Sequence, residues 1–60
     1  MYRVMVVEDE FFERQALLLM LRNNFPELSV SAELSNGIEA INLARTEKPD
    51  LVLVDVNIPG

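Results

Sequence analysis

An open, doubly wound α/β fold around a parallel sheet is what this sequence predicts, and three observations predict it. Val4-Met5-Val6-Val7 and Leu51-Val52-Leu53-Val54 are short, unbroken apolar runs, the mark of strands buried on both faces of a parallel sheet. Each run ends in acid: Glu8-Asp9-Glu10 follows the first and Asp55 the second. Between them the helical and strand-like patterns alternate as βαβαβ. Parallel strands need crossovers of that kind, which are right-handed in nearly all folds.

Tyr2 to Val7 reads as the first strand. The acidic cluster after it suits the positive end of a helix, with Asp9 as the expected N-cap and the helix reaching about Asn24. Ala16, Leu17, Met20 and Leu21 make its best inward stripe at helical spacing, leaving Phe12, Leu18 and Leu19 off it as additional packing surface. Phe25-Pro26-Glu27 breaks the helix, because proline disfavours a helical residue before it. Leu28 to Leu34 alternates as a second strand, with Val30, Ala32 and Leu34 expected on one face. Ser35-Asn36-Gly37 is a turn, and Asn36 caps a helix from Gly37 to about Glu47. Ile38, Ala40, Ile41 and Ala44 supply that helix's apolar face. Lys48-Pro49 ends it, with Lys48 at the negative end of the dipole. Asp50 opens the third strand and is expected to face away from any site. Asn57-Ile58-Pro59-Gly60 reads as a loop.

Sixty residues hold one small domain or part of a larger one. A domain this short buries only about 60% of its unfolded surface, so its stability is marginal. With no cysteine it has no disulfide to help. Half the residues are hydrophobic, too many for a disordered chain. The longest apolar stretch, Ala16 to Leu21, is far too short to span a bilayer. No signal peptide is evident, and a cytoplasmic setting without membrane contact is expected. Ten acidic against five basic residues give a net charge of -5. Direct nucleic-acid contact from this segment is therefore disfavoured, since phosphate contacts need a basic patch.

In open α/β sheets ligands bind outside the carboxyl ends of the strands. If the first and third strands are neighbours, Glu8, Asp9 and Asp55 converge there. Three carboxylates in a chain without histidine or cysteine suit a hard divalent cation, most simply Mg²⁺.

Val6-Val7-Glu8-Asp9-Glu10, the Asn36-Gly37 turn, Lys48-Pro49-Asp50 and Asp55-Val56-Asn57-Ile58-Pro59-Gly60 together resemble the receiver domain of two-component response regulators. The resemblance runs through residues 1–60 in order and spacing. It implies a flavodoxin-like sheet, shortened to βαβαβ with strand order 2-1-3. It implies Asp55 as phosphoacceptor, Glu8 and Asp9 as the acidic pair holding Mg²⁺, and Asn57 as a metal ligand through its backbone carbonyl. It also implies a sensor histidine kinase as partner, docking near Glu10, Glu13, Arg14 and Leu17, and a transcriptional response regulator as parent. Glutamate at position 8 and Ile58 in place of a frequent methionine are minor departures.

A larger departure is that the family's last two strands, its phosphoryl-contacting lysine and its fourth-strand Ser/Thr have no counterpart here. A partial receiver is therefore expected, weak or inactive in phosphotransfer and with the third strand as a bare apolar edge. Such edges template pairing, so a two-fold homodimer with strand order 2-1-3-3-1-2 is expected. Two other readings compete. One is a phosphorylation-independent interaction or dimerisation module. The other is an aspartyl-nucleophile phosphohydrolase, which is disfavoured because Asn57 stands where its Asp-x-Asp motif needs the second acid. No Gly-rich loop follows the first strand, so nucleotide binding has little support. The module is expected not to be an enzyme.

Overall fold

The computed structural model describes residues 1–55. The loop reading for residues 57–60 and the ligand role of Asn57 lie outside them. Strand β1 (Tyr2–Val7), helix α1 (Phe11–Asn24), strand β2 (Leu28–Leu34), helix α2 (Gly37–Glu47) and strand β3 (Leu51–Val54) follow in that order. The three strands form one parallel, flavodoxin-like sheet in the order β2-β1-β3.

Strand β1 lies between the other two, with α1 packed on one face of the sheet and α2 on the other. This explains its unbroken apolar run: Val4, Met5, Val6 and Val7 are all fully buried, two toward each helix. Val6 packs with Leu18 and Leu21 of α1, joined by Leu17, Leu28, Val30 and Leu53. Met5 and Val7 pack with Ala40 of α2, joined by Ala32, Leu34, Leu43 and Ala44.

The expected single apolar face of β2 is split. Its pairing runs Val4 with Val30 and then Met5 with Ala32, so Ser31 is an extra residue. A bulge of one residue turns every later side chain to the other face. Val30 therefore joins the α1 core while Ala32 and Leu34 join the α2 core. The Ser31 hydroxyl donates to the Val4 carbonyl at 3.4 Å, at the bulge itself.

The expected helix stripes shift as well. On α1 the inward residues are Arg14, Leu17, Leu18 and Leu21, whereas Ala16 and Met20 are exposed. Six consecutive apolar residues have no polar side to fix their phase, so packing on Val6 sets it. On α2, Ala40, Leu43 and Ala44 face the sheet, while Ile38 and Ile41 stand in solvent. Asn36 caps α2 as expected: its side-chain oxygen accepts from the Glu39 N–H at 2.8 Å, and its amide donates back to the Glu39 carboxylate. Lys48 closes the helix in the left-handed region at φ 48°, its N–H donating to Ala44.

At the amino ends of the strands, Asp50 accepts the Arg3 N–H at 2.7 Å and returns its own N–H to the Arg3 carbonyl. Asp50 is thus occupied at the end of the sheet remote from Asp55, as expected. The Arg3 guanidinium donates to the Glu47 carbonyl and lies 3.5 Å from the Glu47 carboxylate, tying the end of α2 to β1. No helix among the described residues is long and apolar enough to cross a membrane.

Candidate metal and phosphoacceptor site

The register of the sheet brings the acidic groups together. Val7 of β1 pairs with Val54 of β3 on one side and with Leu34 of β2 on the other. Pairing continues one residue beyond each strand: Asp55 N–H donates to the Val7 carbonyl at 3.1 Å, and Glu8 N–H to the Leu34 carbonyl at 2.9 Å. Backbone bonds therefore hold Glu8 and Asp55 at adjacent carboxyl ends of parallel strands, where open α/β sheets bind ligands.

Glu8, Asp9 and Asp55 each present a carboxylate oxygen, and these oxygens all lie within 4.8 Å of one another. Glu8 is buried, only 5% exposed, while Asp55 is half-buried and Asp9 is open to solvent. A Glu8 carboxyl oxygen accepts the Glu10 N–H at 2.7 Å, and its carbonyl accepts from the Arg14 guanidinium at 2.7 Å. Asp9 was expected to cap α1. Glu10 holds that position instead, without a side-chain cap bond, because Asp9 is part of the acidic cluster.

Glu8 is a weaker acid in this cluster than an ordinary glutamate. Hydrogen bonding with the Asp55 carboxyl, more than any other cause, pushes its pKa up from 4.5 to about 7. Burial, Asp9 and the Asp55 charge act in the same direction, and the Glu10 N–H opposes them. A carboxyl among carboxylates must share a proton or meet a cation. The donor set is all oxygen and compact, which fits Mg²⁺.

The raised pKa has a consequence for metal-free protein. Between about 4.5 and 7 the folded state keeps a proton on Glu8 that the unfolded chain has released. The stability due to Glu8 is therefore complete below pH 4.5 and is lost as pH rises through 7. Thermal melts in chelator are expected to show wild type falling relative to Glu8→Gln from pH 5 to pH 8. Parallel curves for the two proteins would contradict the assignment.

Glu8, Asp9 and Asp55 lie close together, as the sequence led one to expect, but the residues around them carry more of the arrangement than the sequence suggests. Arg14 was grouped with a docking surface, yet it is half-buried and bonds the Glu8 carbonyl. The available signal was its spacing: it stands three, four and seven residues before Leu17, Leu18 and Leu21. Glu10 at the N-cap and Glu13 in the first turn of α1 are exposed.

The fold and the carboxylate cluster at its strand ends define a class, and comparison with known proteins agrees. The chain belongs to the response regulator receiver domain family, matching it over residues 4–60. Among similar proteins, the transcriptional regulatory protein PdtaR of Mycobacterium tuberculosis is 44% identical over 57 residues, 95% of this chain and 27% of that protein. A protein-glutamate methylesterase/protein-glutamine glutaminase of Pyrococcus abyssi is also 44% identical over 57 residues, 95% of this chain and 15% of its own length. The Methanosarcina mazei protein of the same name is 34% identical over 59 residues, 98% of this chain and 16% of its own. The chain thus spans between 15% and 27% of the length of these relatives.

Proposed function

We propose that this chain carries the phosphoacceptor and metal-binding part of a two-component receiver. In this reading Asp55 accepts a phosphoryl group from a sensor histidine kinase in the cytoplasm. Glu8, Asp9 and Asp55 hold Mg²⁺, with Asn57 contributing a backbone carbonyl. The observation that carries the reading is the convergence of three carboxylates at the tips of β1 and β3.

An Asp55 carboxylate oxygen attacks phosphorus, forming an O–P bond as the N–P bond of a phosphohistidine breaks. The backbone bond to Val7 fixes the nucleophile at the tip of β3. Glu8 and Asp9 contribute negative charge and oxygen donors beside it. When bound, Mg²⁺ neutralises the charge that develops on the transferred phosphoryl group. The nucleophile is consumed in this step, so the module acts as a signalling acceptor rather than as an enzyme.

The relatives share with this chain the receiver segment, whereas their names denote different outputs. We take a transcriptional regulator as the parent, a reading supported by the likeness to PdtaR. The lysine and Ser/Thr that complete the family's site have no counterpart in residues 1–60, so this polypeptide alone is expected to label poorly with small phosphodonors.

The test is an amide NMR titration with Mg²⁺, then with beryllofluoride, which mimics an acyl phosphate. Shifts clustered on Val7, Asp9 and Asp55 are expected. Silence there would favour a phosphorylation-independent interaction module.

The outer side of β3 has no strand neighbour among the described residues, and Leu51, Val52 and Val54 are exposed. For the isolated 60-residue polypeptide we infer a homodimer through that edge. Sedimentation as a folded monomer at micromolar concentration would refute it.

A further inference from the structure

We propose that Arg14 is a positioning residue for the metal site, acting by clamping the peptide that joins Glu8 to Asp9. This rests on the reading of Glu8, Asp9 and Asp55 as a cation site.

Arg14 occupies the first inward position of α1, where the stripe that continues with Leu17, Leu18 and Leu21 would otherwise be apolar. A half-buried arginine there needs a polar partner, and it has one: Nη1 donates to the Glu8 carbonyl at 2.7 Å. The guanidinium also stands over the Phe11 ring, 5.7 Å from its centroid. Phe11 is itself braced edge-on by Phe12, at 5.3 Å between centroids. A planar guanidinium on an aromatic face is limited in its tilt, so its N–H bond is aimed.

The bonds around Glu8 show what the clamp controls. Its N–H is held by Leu34, its carboxyl oxygen by the Glu10 N–H, and its carbonyl by Arg14. The carbonyl bond fixes the plane of the following peptide and so the direction in which Asp9 leaves the chain. Asp9 lies beyond the end of β1 and is exposed, so no strand pairing or core packing sets its aim. Without the clamp, Asp9 samples orientations away from Glu8 and Asp55. Groups that orient metal ligands in this way commonly govern affinity as strongly as a ligand does.

A positive charge near a cation site also opposes binding, so Arg14 carries two effects of opposite sign. Substitution shows which of them prevails. Arg14→Met keeps the apolar stem and removes both donor and charge. Its Mg²⁺ affinity, read from the Asp9 and Asp55 amide shifts, is expected to fall roughly tenfold. Arg14→Lys restores one donor and is expected to recover part of the loss. Phe11→Leu keeps the guanidinium without its platform and is expected to weaken binding about threefold. It supplies the same comparison should Arg14→Met fail to fold. Arg22→Met, on the exposed last turn of α1, is expected to leave the affinity unchanged.

If wild type binds Mg²⁺ and Arg14→Met binds it equally or more tightly, the clamp is refuted while the metal site stands. Where Arg14→Met does not fold, unchanged affinity in both Arg14→Lys and Phe11→Leu refutes it in the same way. If wild type itself shows no Mg²⁺-dependent shifts, the metal reading falls and this inference falls with it.

Discussion

Leu18→Ala is expected to remove a large share of the stability of the domain. Leu18 is 4% exposed and packs between Val6 of the central strand and Leu21. Removing a buried leucine side chain costs about 2.7–5 kcal/mol, because the cavity left behind closes only in part. Sixty residues supply a total stability of roughly 3–9 kcal/mol, so this one change removes much of it. The neighbouring Leu19 is 55% exposed, and Leu19→Ala is expected to stay within about 0.5 kcal/mol of wild type. Urea unfolding followed by circular dichroism compares the two. Equal losses would mean that α1 does not pack in the observed phase.

Divalent cation is expected to produce the second large effect. At a Mg²⁺ concentration about ten times the dissociation constant, binding to the folded state alone adds roughly 1.4 kcal/mol. For a domain of this size that raises the midpoint of thermal unfolding by on the order of 5–10 °C. The gain is electrostatic, since the cation relieves the crowding of Glu8, Asp9 and Asp55 within 4.8 Å. Asp9→Asn is expected to lose more than half of it by removing a charged ligand. Glu8→Gln is expected to be more stable than wild type in metal-free buffer at pH 8, and to gain less from Mg²⁺. Sodium chloride at matched ionic strength is the control, because screening alone also eases repulsion. An equal rise in both salts would show that no specific cation site exists.

These two results bear on different parts of what the chain encodes. The acidic site was legible because its signal is local. An apolar run followed by acid occurs twice, and once the order β2-β1-β3 makes the two runs neighbours, parallel pairing fixes where the acids meet. The Asn36 cap and the breaks at Pro26 and Pro49 were legible for the same reason, since each acts within a few residues of itself. The phase of α1 was not legible. Ala16 to Leu21 is apolar throughout, and the polar residue that opens the inward stripe, Arg14, disguised it. On α2 the isoleucines at 38 and 41 drew the predicted face away from Leu43, which is partly buried against the sheet. Asp9 was misread as a cap because acidic residues suit helix starts and metal sites alike.

From sequence alone came the order of the elements, their ends, the apolar runs of β1 and β3 and the acidic residues that close them. All of these follow from the composition of short segments, which sets backbone preference and burial without reference to a partner. Tertiary structure alone decided which face each helix buries, where β2 changes face at Ser31, and that Arg14 holds the Glu8 carbonyl. The first two are matters of register between segments distant in the chain, and the third, across only six residues, depends on the phase that packing gives α1. Such choices are settled by the fit of one packed surface on another, and no single segment carries that information.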